Sequence, residues 1–255
     1  MKKILTIFGT RPEAIKMAPL ISELQKSSEI NCMVCVTGQH REMLYQVLDL
    51  FEIVPDYDLM VMTDGQSLSE LTAKIILSLP PIIEDFNPDA ILVHGDTTST
   101  LASSLAGYYQ QIPVLHIEAG LRTDNIYSPW PEEINRRVVS TIAQYHFAPT
   151  AQAKSNLLKE GIPEERIGVT GNTVIDALFM ILNRISGSPS IEKNLQKNFK
   201  FLDFGKKLLL VTGHRRENFG EGFQNICFAL KELASERSDI EILYPVHLNP
   251  NVLSP

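Results

Sequence analysis

Residues 89–120 read DAILVHGDTTSTLASSLAGYYQQIPVLHIEAG, and the alternation inside this stretch decides the fold class. Ala90 to Val93 is a short, uninterrupted apolar run, the pattern of a strand buried on both faces. It ends in His94-Gly95-Asp96, and Thr97 is a suitable residue to start the next helix. The segment 97–110 is helical in character, and Ile112 to Ile117 is a second apolar strand that ends in Glu118 before Gly120. Strand, helix and strand in this order make a parallel crossover unit.

The same alternation extends in both directions. Upstream, Lys2 to Phe8 is a strand, Pro12 to about Lys26 a helix, INCMVCVTG (30–38) a strand, and REMLYQVLDLF (41–51) a helix with Leu44, Val47 and Leu48 on one face. SLSELTAKIILSLPPIIEDF (67–86) reads as a longer helix that Pro80 and Pro81 should bend or break. Downstream, PEEINRRVVSTIAQ (131–144) is a helix, YHFAPT (145–150) a strand, 151–160 a helix and RIGVTGN (166–172) a strand. The expectation is a doubly wound α/β domain with a parallel sheet covered on both faces, ending near Asn172. TVIDALFMILNRI (173–185) follows as a helix, and the polar stretch 186–207 reads as a surface connection. KLLLVTGH (207–214), GFQNICFALKELASE (222–236) and IEILYPVH (240–247) then begin a second strand–helix–strand pattern. The division expected is 1–172 as an N-terminal Rossmann-like domain, 173–204 as helix and linker, and 205–255 as the start of a second domain that is cut short.

Composition narrows the function classes. Hydrophobic residues make up 44% and charged residues 21%, the balance of a soluble globular chain, and the formal net charge of −7 argues against a nucleic-acid binder. No apolar run reaches the 18 or so residues that span a bilayer, and the N-terminal run stops at Gly9, as a first strand and not a secretion signal. A cytoplasmic location is expected. Three cysteines make no disulfide framework; Cys32 and Cys35 have CxxC spacing but lie in a strand pattern, with Cys227 the only other cysteine.

Candidate chemistry gathers where strands end. In FGTRPEAIKMAPL (8–20), Gly9 permits a tight turn, and Thr10 with Glu13 fits a capping box. Free N–H groups at this helix start, with Arg11 and Lys16 nearby, would suit an anion; a well-capped helix with surface cations is the alternative. Ligands of open α/β sheets bind beyond the carboxyl ends of the strands, which places Asp96 and Glu118 where an acid–base pair belongs. The same two residues also fit an N-cap and a paired loop charge. SPWPEEINRR (128–137) sets Glu132 and Glu133 at an acidic helix start beside Trp130, the only tryptophan. VTGHRREN (211–218) offers His214, Arg215 and Arg216 as phosphate donors at a strand's carboxyl end, and YPVHLNP (244–250) contributes His247. No metal-ligand spacing, Walker loop, dinucleotide fingerprint or nucleophile elbow is present.

Taken in order, FGTRPEAIKMAPL, TGQHREML, HGDTTSTLA, HIEAGLRT, PWPEEINRR, TGNTVIDAL, TGHRREN and YPVHLNP resemble the non-hydrolysing UDP-N-acetylglucosamine 2-epimerases. The resemblance runs from Met1 to Pro255. It implies a pair of Rossmann-like domains of the glycosyltransferase-B type, with the second incomplete here. It implies reversible conversion of UDP-N-acetylglucosamine to UDP-N-acetylmannosamine for polysaccharide biosynthesis, with elimination of UDP to a 2-acetamidoglucal and re-addition after inversion at C2. No metal or nicotinamide cofactor is implied, and the full-length protein is expected to be a homodimer. Carried over residue by residue, Asp96, Glu118 and Glu132 match the acid–base carboxylates, and Arg11, Lys16 and His214 the diphosphate and leaving-group contacts. His247 falls near the nucleotide. Gln39, His40 and Arg215 fall in segments that resemble a neighbouring site where substrate activates the enzyme. The family pattern continues into a Ser-Gly-Gly-x-x-Glu-Glu segment that holds uridine and ribose, which this sequence lacks, so a C-terminally truncated chain of little or no turnover is expected. Two other readings stay open: a hydrolysing relative that releases UDP and free N-acetylmannosamine, and an inactive UDP-sugar-binding fragment.

Overall fold

The computed structural model describes residues 1–39, 41–63, 65–203, 205–212 and 221–245. The chain divides into two compact units, Met1–Arg184 and Ile185–Pro255.

The first unit is built on a seven-stranded, all-parallel sheet. Its strands are β1 (Lys2–Phe8), β2 (Ile30–Val36), β3 (Tyr57–Asp58), β4 (Ala90–His94), β5 (Val114–Ile117), β6 (Tyr145–Ala148) and β7 (Ile167–Val169). Their order across the sheet is β3-β2-β1-β4-β5-β6-β7. Successive strands step outward from β1 on one side and from β4 on the other, so the order reverses between them. A crevice opens at such a switch point, beyond the carboxyl ends of β1 and β4. The expected doubly wound architecture is therefore present; the two-residue edge strand β3 is too short for periodicity to reveal.

Two apolar layers hold the helices to the sheet. On one face Phe8, Val34, Val36 and Leu92 pack against Ala14, Met17 and Ile21 of α1 (Arg11–Lys26) and Leu44, Val47 and Leu48 of α2 (Arg41–Leu50). On the other, Leu5, Ile7, Ile91 and Val93 pack against α3 (Leu68–Phe86), α4 (Thr98–Tyr109) and α5 (Glu132–Ile142). A helix α6 (Ala151–Lys159) covers Ala148 and Ile167 through Ala153 and Leu157.

Pro80 and Pro81 do not break α3, which runs without interruption from Leu68 to Phe86. Leu71, Ile75, Leu79, Ile83 and Phe86 form a continuous buried stripe, while Leu77 and Pro81 face solvent. Neither proline belongs to that stripe, and the buried stripe keeps the helix together. Helix α7 (Val174–Ser186) follows β7.

The stretch expected as a surface connection contains a helix, α8 (Pro189–Asn198), started by Pro189 in the first turn. None of its residues is buried, and its apolar side chains Ile191 and Leu195, at i and i+4, make only a short stripe among polar neighbours. Strands β8 (Lys207–Leu210) and β9 (Ile240–Leu243) pair in parallel across α9 (Glu221–Glu236), giving the expected strand–helix–strand unit.

Candidate active site

A cavity of about 350 Å³ lies at the switch point, lined by Thr10, Glu13 and Lys16 of α1, by His94 to Thr98, and by Gln39, Glu118, Glu132 and Asn135 among others. Four strand ends and helix starts thus deliver their polar residues to one place. Asp96, Glu118, Glu132, Lys16 and Gln39, picked out from sequence, all line it. Arg11, at the start of the same helix, is exposed. His40, His214, Arg215 and His247 lie outside the described residues.

Start with α1. Thr10 is its N-cap and makes the capping box with Glu13. Yet two N–H groups of the turn into it are taken by the protein itself: Glu13 Oε2 accepts from Gly9 N (2.9 Å) and Thr10 N (2.7 Å). Its other oxygen accepts from Thr97 Oγ1 (2.6 Å) and Thr100 Oγ1 (2.8 Å) at the start of α4. The anion at this helix start is the protein's own, fully buried glutamate, and it ties α1 to α4. Gly9 is demanded by space more than by a turn, because a β-carbon there would sit 1.9 Å from Thr37 Oγ1 and 2.3 Å from Ser99 Oγ. Those two hydroxyls bond each other at 2.8 Å, and Ser99 Oγ donates to Gln39 Oε1 at 2.9 Å, which fixes Gln39 on the cavity wall.

Glu118 occupies the left-handed region, with φ +58°, a conformation that a glutamate seldom adopts. Lys16 Nζ donates to both of its oxygens at 2.7 Å, and Asn172 Nδ2 donates to Oε2 at 2.6 Å. Lys16 therefore approaches the carboxylate and not open solvent.

Asp96 is held from α5. Arg136 Nη2 donates to its Oδ2 at 2.5 Å, and Asn135 Nδ2 to its backbone oxygen at 2.8 Å. Burial raises the Asp96 pKa; Arg136 opposes that shift, and the neighbouring Glu132 and Glu118 charges add to it. Glu132 opens α5 and is half-buried beside Pro131. The next residue, Glu133, is wholly buried and accepts from Thr123 N (3.1 Å), Asp124 N (3.3 Å) and Arg137 Nε (3.0 Å). Burial works against its charge, but Arg137, the Thr123 N–H and Arg136 prevail and hold it below the usual carboxylate range. Glu133 so anchors the loop before α5, which presents Trp130 at 63% exposure.

Three histidines lie beneath. His94 lines the cavity but is 2% exposed, and among the described residues neither ring nitrogen has a hydrogen-bond partner. Burial, aided by Lys16, pushes its pKa down to about 3. His116, wholly buried, donates from Nε2 to Gly95 O at 2.7 Å and is likewise pushed down to about 3 by burial. His146 is lowered to about 4 by burial. Neutral rings in this position pack and orient the turn before Asp96; they carry no charge to a ligand.

Sequence reasoning assigned no role to Asn135, Arg136 or Asn172, and read Glu133 only as part of an acidic helix start. A signal existed for two of them: Glu132, Asn135 and Arg136 stand at i, i+3 and i+4, on one helix face. Cys32 and Cys35 are free thiols, and burial pushes Cys35 up to about 12. Among the described residues no helix is long and apolar enough to cross a membrane.

Known proteins are similar to this chain in sequence and fold. A model of the UDP-N-acetylglucosamine 2-epimerase family matches residues 22–254. The UDP-N-acetylglucosamine 2-epimerase of Yersinia pestis is 59% identical over 253 residues, 99% of this chain and 67% of the relative. That of Campylobacter jejuni is 52% identical over 259 residues, 100% of this chain and 67% of the relative. Among solved structures, the Neisseria meningitidis enzyme bound to UDP-GlcNAc superposes with a TM-score of 0.90 at 58% identity, covering 98% of this chain and 67% of that one. The Methanocaldococcus jannaschii enzyme, in complex with UDP-GlcNAc and UDP, superposes with a TM-score of 0.79 at 33% identity over 98% of this chain and 67% of that one. The chain spans about two-thirds of the length of these relatives, and over that span it belongs to the UDP-N-acetylglucosamine 2-epimerase family, a family of isomerases.

Proposed function

We propose that this protein interconverts UDP-N-acetylglucosamine and UDP-N-acetylmannosamine without hydrolysis, by eliminating UDP and adding it back. One observation carries the reading: Asp96, Glu118 and Glu132, from three different elements, line a single cavity that Lys16 also enters. The bound UDP-GlcNAc and UDP of the Neisseria and Methanocaldococcus relatives support the substrate class.

A hydrogen on C2 is too weakly acidic for direct exchange, so the route passes through 2-acetamidoglucal. A carboxylate takes the C2 proton, its C–H electrons form the C1=C2 double bond, and the C1–O bond breaks with its electron pair passing to the diphosphate of UDP. UDP then adds to C1 while a second carboxyl delivers a proton to the opposite face of C2. Asp96, whose burial favours its protonated form, is suited to hold that proton. Lys16, with Arg11 and His214, neutralises charge on the departing diphosphate. His247 lies toward the nucleotide, and Gln39, His40 and Arg215 serve a second, activating substrate molecule. Residues 1–172 are the catalytic domain and 205–255 begin the nucleotide-binding one.

The test is turnover of UDP-N-acetylglucosamine in D₂O, with the chain alone and joined to the C-terminal third of the Yersinia pestis relative. UDP-N-acetylmannosamine carrying deuterium at C2 is expected from the joined form, with little or none from the chain alone. Product without deuterium, free N-acetylmannosamine with UDP, or no exchange by either form overturns the reading.

A further inference from the structure

We infer that Asn172 is a positioning residue for Glu118, holding the carboxylate in its reactive place when Lys16 is drawn away to a diphosphate. The inference rests on the function proposed above, and it assigns a task to a side chain that does not itself line the cavity.

Glu118 stands in a backbone conformation that its side chain does not favour, so its direction depends on what grips the carboxylate. Among the described residues only two side chains do so. Lys16 spans both oxygens, and Asn172 Nδ2 donates to Oε2 at 2.6 Å. Lys16 is a compact cation on a flexible stem, and a doubly charged diphosphate competes for it directly. The Asn172 amide is neutral and short, and it gains little from an anion beyond reach. When the ammonium moves, the amide remains.

Asn172 is itself fixed on both sides. Its Oδ1 accepts from Val174 N at 3.0 Å at the start of α7, so the orientation with Nδ2 toward Glu118 is the one that satisfies both neighbours. The next residue, Thr173, donates from Oγ1 to Lys16 O at 2.6 Å. The turn that carries Asn172 is thus bonded to the same helix turn that carries Lys16. Three segments far apart in sequence, around residues 16, 118 and 172, keep one geometry. The lysine can leave it by side-chain rotation alone, while the asparagine stays.

Asn172→Asp separates this role from a structural one. An aspartate at this position still accepts from Val174 N and caps α7, so the fold is retained, but it turns a carboxylate oxygen toward Glu118 in place of a donor. The expected result is a fall in C2 deuterium exchange on the order of 10- to 100-fold, greater than for Asn172→Ala, with KM for UDP-N-acetylglucosamine changed by about 2-fold or less. A purely structural asparagine predicts the reverse order, Asn172→Asp near wild type and Asn172→Ala worse, and that order overturns the inference. A second measurement needs no turnover. In thermal unfolding of the 255-residue chain, Asn172→Asp should lower the midpoint when Glu118 is present and lose that effect in the Glu118→Gln background, whose neutral side chain does not repel it. Equal effects in both backgrounds overturn the inference. Failure of the wild-type protein to exchange deuterium sinks the proposed function instead, and the unfolding cycle still decides whether the two side chains are coupled.

Discussion

The two ends of the central sheet are built from the same strands and do different things. At the carboxyl ends of β1, β4 and β5, the cavity of about 350 Å³ is walled by carboxylates, of which Glu13, Asp96 and Glu118 have designated partners. At the amino ends of β5 and β6 there is a larger depression, about 530 Å³, lined by Tyr108, Tyr109, Gln111, Ile112, Pro113, Val114, Ile142 and Gln144. None of these residues carries a charge at neutral pH, and none is a carboxylate, histidine or lysine. Size therefore does not locate the site; the helix starts and strand ends do. At the carboxyl edge N-caps and strand termini point polar groups into one space, whereas the amino edge receives helix C-termini and the return loops, which have only to close the chain.

The largest expected effect is at the carboxyl edge. Glu118→Gln keeps the shape and a hydrogen-bonding oxygen for Lys16 but removes the proton acceptor. C2 deuterium exchange should fall on the order of 1,000-fold, while loss of the largely buried ion pair with Lys16 lowers stability by about 2 kcal/mol, measured by mass spectrometry and calorimetry side by side. Retained exchange would erase the distinction between the two edges.

Acid should reveal the cost of the buried histidines beneath that edge. His94 and His116 are pushed down to about 3 and His146 to about 4, all below the ordinary value of about 6.5. Below pH 6.5 the unfolded chain binds protons that the folded chain refuses, so the stability they contribute is complete above about pH 6.5. It is lost progressively as pH falls toward 3–4. Three such groups give roughly 3 kcal/mol between pH 6.5 and 5.5. Asp96, raised by burial, acts in the opposite sense at lower pH, as one group against three. Urea unfolding at stepped pH measures the slope, and a flat profile from 6.5 to 5.5 contradicts it.

Arg136→Met should leave Asp96 half-buried without its cation and destabilise the chain by about 2 kcal/mol, less than for a fully buried pair because water still reaches the carboxylate. Asp96→Asn, which leaves no unpaired charge on the acid side, should recover part of that loss when combined with it. The smallest effect belongs to the amino edge. Tyr109→Ser, at an exposed site, should change exchange by less than about 2-fold and stability by about 0.5 kcal/mol or less. A large loss of exchange there would mean that the amino edge also serves the chemistry.

The sequence was legible wherever a pattern repeats. Strand runs such as Ala90–Val93, the Thr10–Glu13 capping box and the helices with a buried stripe all appear where local patterns place them. It was misleading in two places. The double proline looked like a break, but α3 continues because its buried stripe avoids the prolines. The helix α8 was missed because Ile191 and Leu195 make only a short stripe among polar residues and none of the helix is buried. Asp96, Glu118, Glu132 and Lys16 were legible as residues at element ends. Their partners were not, since Asn172 meets Glu118 across 54 positions and Arg136 meets Asp96 across 40.

Local rules therefore determined the parallel α/β class, the order of the elements and the edge of the sheet at which the polar motifs gather. They act over one or two turns of chain, the distance over which periodicity, caps and apolar runs carry information. Only the tertiary structure decided which donors those carboxylates meet: that Glu13 takes two N–H donors of the turn into its own helix, that Lys16 and Asn172 share Glu118, and that Arg136 opposes the burial of Asp96. The strand order brings these residues together, and the strength of each contact depends on distance and burial in space, which spacing along the chain does not encode.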